Sequence, residues 1–137
     1  MRVLSAMALS ALSLATPAAH AAAEQFVGTW QCKMGNQPLP GGANYDLWLY
    51  TFAMTLTAEG GFSATGTYDA ASAGFSVPFT VNGGTWKEAE GGVIATGTAM
   101  KQGASEQFMV AGLPQADGSL TYSTSSSYGT LSVYCKK

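Results

Sequence analysis

The sequence is poor in charge, and beyond its first 21 residues it contains no arginine and no histidine. Histidine is the usual general base and the commonest metal ligand, so its absence excludes Ser-His-Asp, Cys-His and histidine-zinc chemistry from residues 22–137. We therefore expect no enzyme activity, no catalytic residues, no metal site and no cofactor. Carboxylates such as Asp46 and Glu106 leave an enzyme as an alternative, but the sequence brings no two acids together.

Basic side chains are also scarce. From residue 22 onward five lysines stand against eight acidic residues, which leaves a net charge of −3. Nucleic acids and anionic membranes are bound through clustered Lys and Arg, so we expect neither as a partner. No later apolar run approaches the roughly 20 residues of a membrane-spanning helix.

The first residues have the pattern of an export signal. A positive start at Met1-Arg2 precedes a charge-free apolar stretch over 3–15, and Ala19-His20-Ala21 has the small-x-small form of a cleavage site. We expect residues 1–21 to be a signal peptide, with cleavage after Ala21 or Ala23, and the protein to be secreted or periplasmic. Residues 22–137 then have the length of a single domain.

Two cysteines are present, Cys32 and Cys135. An exported chain meets an oxidising compartment, so we expect them to form one disulfide. Two free thiols are the alternative. Neither cysteine has the neighbouring cations or second cysteine that would make a reactive thiolate.

A ten-residue segment nearly repeats: AEGGFSATGT at 58–67 returns as AEGGVIATGT at 89–98, with eight identical positions. A shorter version of its first part occurs at 116–119. In each, an acidic residue followed by glycine is typical of a tight turn between two strands, with the glycine at positive φ. The repeat therefore predicts hairpins.

The segments beside these turns alternate between apolar and polar residues, as half-buried strands do. The pattern predicts eight strands, near 26–33, 47–57, 62–69, 75–87, 93–100, 105–112, 119–125 and 129–136. A β-bulge at Gly83-Gly84 would reset the alternation before Trp86; a hairpin at Asn82-Gly83 would instead make nine strands. The fold class is all-β, most simply an eight-stranded up-and-down antiparallel barrel with one disulfide.

The segment Gly28-Thr29-Trp30 resembles the Gly-x-Trp signature that opens the first strand of lipocalins and other calycin-type barrels, and Gly84-Thr85-Trp86 echoes it. The resemblance covers this strand and the strand plan. It implies a lipocalin-like barrel in which Trp30 packs across the closed end.

One feature conflicts with a simple barrel. The first and last strands of a closed eight-stranded meander are antiparallel, yet Cys32 lies late in the first predicted strand and Cys135 late in the last. Cysteines bridge only when their Cα atoms come within about 7 Å. The sequence therefore predicts a staggered seam, a folded-back tail or a different strand order.

The connections assign the two ends of the barrel. The acidic-Gly turns all lie at one end, and the loops over 34–46, 70–74, 101–104 and 125–128 lie at the other, open end. There we expect a ligand-binding pocket whose members share aromatic character: Tyr45, Trp48, Tyr50 and Phe75. In a barrel this small, the same side chains could instead fill the interior.

Two functions remain open. One is an exported carrier or scavenger of a small neutral or apolar molecule, favoured because the mouth is aromatic and, apart from Asp46, uncharged. The other is an exported inhibitor of a hydrolase, or another interaction module, that docks on a partner protein through its open-end loops, with Tyr45 and Leu39 as leading contacts.

Overall fold

The computed structural model describes residues 23–37, 48–70, 74–126 and 129–137. Over these residues eight antiparallel strands close into a barrel in which each strand pairs with its sequence neighbours and the last pairs with the first, so the predicted fold class is confirmed. The strands are β1 (Gly28–Gln37), β2 (Trp48–Leu56), β3 (Gly61–Ala70), β4 (Phe75–Ala89), β5 (Gly92–Lys101), β6 (Ala104–Pro114), β7 (Leu120–Ser126) and β8 (Gly129–Lys136). Residues 1–22, which include the predicted signal peptide over 1–21, lie outside the described residues.

The first strand differs from its predicted bounds at both ends. Phe26 and Val27 belong to a helical turn, because their amides donate to the carbonyls of Ala23 and Glu24 at 3.1 Å. At the other end, β1 continues through residues 34–37, which we expected to begin a loop. Residues 34–37 have a turn-like composition, but they form a strand because β1 pairs with β2 on one side and with β8 on the other.

This longer strand resolves the conflict at the seam. Cys32 pairs directly with Cys135, and the ladder runs on to Gln37 opposite Thr130, so the seam is staggered toward the second half of β1. The cysteines form a disulfide across it with Cα atoms 4.1 Å apart. Both are buried. Of the three predicted explanations, the stagger is right, and the strand order stands.

The fourth strand contains the bulge that the sequence predicts. It runs unbroken for 15 residues, which excludes the nine-strand alternative. Its pairing with β5 shifts register between Val81 and Thr85. Gly83 lies in the shift at a φ of 71°, a conformation that glycine adopts without strain. The shift returns both Val81 and Trp86 to the interior.

The three acidic-Gly turns lie at one end of the barrel, which is filled. The Trp30 indole is buried there and donates to the carbonyl of Phe26 at 2.9 Å. The Trp86 indole donates to the carbonyl of Thr57 at 2.7 Å, and its ring meets Phe26 edge-on at 6.4 Å. Two indole donors are thus satisfied inside an apolar plug, as buried tryptophans require.

One seam of the barrel is mostly open. β6 and β7 pair only at Leu113 with Thr121 and at Pro114 with Leu120, beside their connecting turn. From there toward the open end the two strands part, whereas β7 stays paired with β8 along its whole length. We call this opening between β6 and β7 the side cleft. In the described part of the chain, no helix is long and apolar enough to cross a membrane.

The Cys32–Cys135 disulfide gives a direct test of the barrel closure between β1 and β8. Thiol titration of the unfolded, unreduced protein should find no free sulfhydryl. Cys135→Ser should lower the free energy of unfolding by about 2 to 5 kcal/mol, because a bridge over roughly 100 residues restricts the unfolded chain strongly. Ser132→Ala, at an exposed position of the same strand, is the control. Two titratable thiols in untreated protein would contradict the bridge.

The turn between β4 and β5 tests the closed end. Gly91 has a φ of 82° and no neighbouring atom within 4 Å of an added Cβ, so a substitution meets backbone strain and no clash. Gly91→Val should lower the free energy of unfolding by about 1 kcal/mol or more. Thr65→Val, on an exposed strand position, should leave it nearly unchanged. A Gly91→Val protein as stable as the parent would contradict the strain expected at this turn.

Candidate functional site

The middle of the barrel is packed with aromatic rings. Phe52, Phe79 and Phe108 lie with centroids 5.3 to 5.8 Å apart, and all three are buried. Tyr50 covers this layer, with its ring 4.9 Å from that of Phe79 and 5.1 Å from that of Phe108. The alternative of a filled interior is therefore right for the depth of the barrel. Above Tyr50, at the open end, the described residues leave a cavity.

That cavity, which we call the cup, has a volume of about 340 Å³. This is at the lower end of the range of about 300 to 1,000 Å³ found for small-molecule sites. Six strands contribute to its wall, in keeping with a cup at the open end of the barrel. Its lining residues are Met34, Trp48, Tyr50, Tyr68, Lys101, Glu106, Gln107, Phe108, Met109 and Leu131.

A three-residue polar cluster stands on one side of the cup. The Lys101 ammonium donates to the Tyr50 hydroxyl at 2.7 Å, and that hydroxyl donates to Glu106 Oε1 at 2.6 Å. Lys101 Nζ also pairs with the same carboxylate oxygen at 2.5 Å. The second carboxylate oxygen takes part in neither of these two contacts. We call these three residues the polar cluster.

A tight turn brings the polar cluster together. Gln102 and Gly103 both have positive φ and join β5 to β6 in two residues. Lys101 ends one strand, and Glu106 lies two residues into the next on the same inward face. The lysine ammonium further lies 3.8 Å from the centroid of the Tyr68 ring, within the range of a cation–π contact.

These contacts change the ionisation of all three groups. Burial, and then the hydrogen bond to Glu106, raises the pKa of Tyr50 to about 12. Burial alone would lower the pKa of Lys101, but its bonds to Glu106 and Tyr50 outweigh burial and raise that pKa. The hydrogen bonds from Lys101 and then Tyr50 lower the pKa of Glu106. At neutral pH the cluster is thus a neutral tyrosine beside an ion pair.

Of the four aromatic residues predicted for the ligand site, the structure places two in the lining of the cup. Trp48 and Tyr50 both line the cup, with their rings 5.6 Å apart and edge to face. Phe75 is 47% exposed and packs beside Tyr68 at 6.2 Å, outside the cup lining. Tyr45 lies outside the described residues, as do Leu39 and Asp46.

Sequence reasoning missed the charged part of the site. Lys101 was assigned only to a loop, Glu106 was considered only as an isolated acid, and the mouth was described as almost uncharged. The structure corrects this, because the two-residue turn brings Lys101 and Glu106 into the cup as a pair. The available signal is Gly103, since glycine takes the positive φ of a tight hairpin turn without strain. Tyr68 also lines the cup, although it is not among the residues predicted for the ligand site.

An unpartnered acceptor lies close to the cup. Asn36 is on the inward face of β1, opposite Leu131 of β8, which itself lines the cup. Its Oδ1 is buried and has no hydrogen-bond partner among the described residues. Buried polar atoms are nearly always paired, so this carbonyl is a candidate acceptor for a donor that enters from outside.

No protein-family model matches this chain, and no curated protein and no solved structure matches it either. The barrel is therefore shown by its own strand pairing, and membership of the lipocalins is not. Within the described residues no group of three or more His, Cys, Asp or Glu side chains is arranged to hold a metal ion.

Tyrosine titration tests the polar cluster. We expect NMR of ring-labelled tyrosine to find Tyr50 ionising near pH 12 rather than near 10. A raised folded pKa means that neutral Tyr50 stabilises the fold up to about pH 10 and that this contribution is lost as the pH rises through about 12. Glu106→Gln should lower this pKa, because the carboxylate bond favours the neutral phenol. Glu88→Gln, remote from the cup, should not. An ordinary Tyr50 pKa would contradict the geometry.

Proposed function

We propose that the protein binds a small molecule of zero net charge in the cup, through a polar group of that molecule, and acts as an exported carrier or scavenger. The observation that carries the proposal is the polar cluster, an ion pair and a phenol held against aromatic walls above a filled core. A purely structural interior would end in apolar residues or open to water. Here fixed donors and acceptors face a space large enough for a ligand.

The charge balance of the cup favours a ligand without net charge. Lys101 and Glu106 neutralise each other, so an ionic ligand would have to displace one partner of the pair. A hydroxyl, amide or carbonyl group can instead add to the pair, accepting from the ammonium or donating to the second carboxylate oxygen. The Trp48 ring, which also lines the cup, offers apolar surface to the rest of the molecule.

Lipocalin-like character and export belong to the same proposal. An open mouth at one end and a plug containing Trp30 at the other agree with the lipocalin resemblance. The disulfide agrees with an oxidising compartment outside the cytoplasm, secreted or periplasmic.

A partner protein is the second candidate, because large apolar side chains are exposed beside the side cleft. Met109 is 59% exposed and Leu113 45% exposed, both on the outer face of β6. Exposed apolar residues grouped in this way often mark a protein interface. An exported inhibitor of a hydrolase would use such a surface or the loops of the open end.

Non-denaturing mass spectrometry of the protein purified from its native compartment separates the two candidates. We expect a bound mass of small-molecule size. The double variant Lys101→Met, Glu106→Gln keeps the net charge and should lose that mass, whereas Lys87→Met, Glu88→Gln should keep it. If a protein is bound stoichiometrically and no small molecule is found, the result would support the inhibitor and contradict the carrier.

Trp48→Ala tests how much the aromatic wall of the cup contributes to ligand affinity. Removal of this side chain deletes a large apolar contact, so the affinity for the co-purified molecule should fall by about 1 to 3 kcal/mol. Binding calorimetry gives the affinity and thermal unfolding gives the stability. Phe75→Ala is the matched control, an aromatic truncation on the same rim but outside the cup lining. Equal losses for the two variants would show that Trp48 has no special place in binding.

A further inference from the structure

The side cleft is a second cavity in the described part of the barrel, with a volume of about 490 Å³. It is lined by side chains of β6 and β7, such as Met109 and Tyr122, by inward residues of β1 and β8, such as Met34 and Val133, and by residues of the β4–β5 hairpin. Met34 and Val133 are buried core residues, so the cleft reaches from the outer surface to the interior.

The cleft and the cup adjoin. Three side chains line both cavities: Met34, Met109 and Leu131. They occur where β6 and β7 have parted, so a molecule in the cup meets no strand between itself and the cleft. The parting follows from the pairing, which joins β6 to β7 at only two positions.

The two cavities differ in polarity. The cup holds the Lys101–Glu106 pair and the Tyr50 hydroxyl, whereas the cleft is bounded mainly by aliphatic and thioether side chains. Glu90 is the one charged residue among the described residues that line the cleft, and it lies at the distant turn between β4 and β5. A polar chamber therefore continues into an apolar one.

We infer that the ligand is amphipathic, with an uncharged polar head in the cup and a flexible apolar tail that lies along the side cleft between β6 and β7. This inference rests on the proposed function and names the class of molecule that the site takes. A molecule without a tail would leave exposed Met109 and Leu113 without a role. A molecule without a head would leave the polar cluster and the Asn36 carbonyl unused.

The flexible lining suits a tail of simple hydrocarbon. Two methionines, Met34 and Met109, border the passage, and methionine adapts its shape to irregular apolar partners more readily than branched side chains do. Thr124 and Tyr122 add hydroxyls only on the β7 side. Such a surface selects for length and apolarity more than for a particular shape.

A series of straight-chain primary alcohols from four to ten carbons tests the inference, with affinities measured by calorimetry. Each hydroxyl is the head and each added methylene lengthens the tail. We expect the dissociation constant to fall about fourfold for each methylene that enters the cleft, and then to level off. A dissociation constant that is independent of chain length would overturn the inference and leave the proposed function standing.

Two variants locate the tail. Ala111, on an outward position of β6 in the lining, is replaced in Ala111→Trp, which should remove the gain from the longer chains while butanol binds as before. Ala53→Trp, at a similarly half-buried outward position of β2, is the matched control and should bind like the parent protein. Gains that survive in Ala111→Trp would place the tail elsewhere and overturn the inference.

The same series of alcohols tests whether the hydroxyl head binds at the polar cluster. Lys101→Met, Glu106→Gln should weaken every alcohol by a similar factor and preserve the slope with chain length. If no alcohol binds, or if sedimentation shows a dimer that Ala111→Trp dissociates, the amphipathic occupant is wrong, and in the second case another copy of the chain fills the cleft. The proposed function is tested separately, by the small mass that accompanies the native protein.

Discussion

The pairing of β1 with β8 is the constraint on which the rest of the barrel depends. The other seven pairings all join strands that are neighbours in sequence, but this one joins the two ends of the barrel chain, and the Cys32–Cys135 bridge fixes its register. With the ring closed there, the β6–β7 seam can remain mostly unpaired without opening the fold. A barrel that is locked at one seam and parted at another has an interior reachable from its side as well as its mouth.

Tyr50 separates the packed aromatic core of the barrel from the cup at its open end. Below it, phenylalanine rings pack at contact distances, so this part of the interior is a filled core that stabilises the barrel. Above it, the tyrosine hydroxyl is held between an ammonium and a carboxylate. The same side chain thus caps the core with its ring and begins the cup with its oxygen, which is why burial and hydrogen bonding both act on its pKa.

Most of the fold could be predicted from the sequence, because alternation and turn chemistry are local. They identified the eight strands, the bulge at Gly83-Gly84 and the inward face that carries Trp48 and Tyr50. The stagger of the seam and the extension of β1 could not be predicted, since they depend on pairing between residues about 100 positions apart. The Lys101–Glu106 pair could not be predicted from composition, since it depends on the two-residue turn that brings the end of β5 beside the start of β6. The parting of β6 and β7 was not predicted, although the sequence does carry a local signal: residues 123–126 of β7 are all serine or threonine and, like residues 104–107 of β6, they are exposed without alternation.

The central claim is that the cup above Tyr50 is where a small molecule binds, and the three tryptophans report on it independently. Trp48 lines the cup, whereas Trp30 and Trp86 are buried in the plug at the opposite end. The decisive measurement is NMR of labelled protein to which the compound extracted from the native protein is returned. The account predicts shifted signals for the Trp48 indole, the Tyr50 and Tyr68 rings and the Lys101 ammonium, with the Trp30 and Trp86 indoles unchanged. Shifts centred on Trp30 and Trp86, or an unaltered Trp48 at saturation, would contradict it.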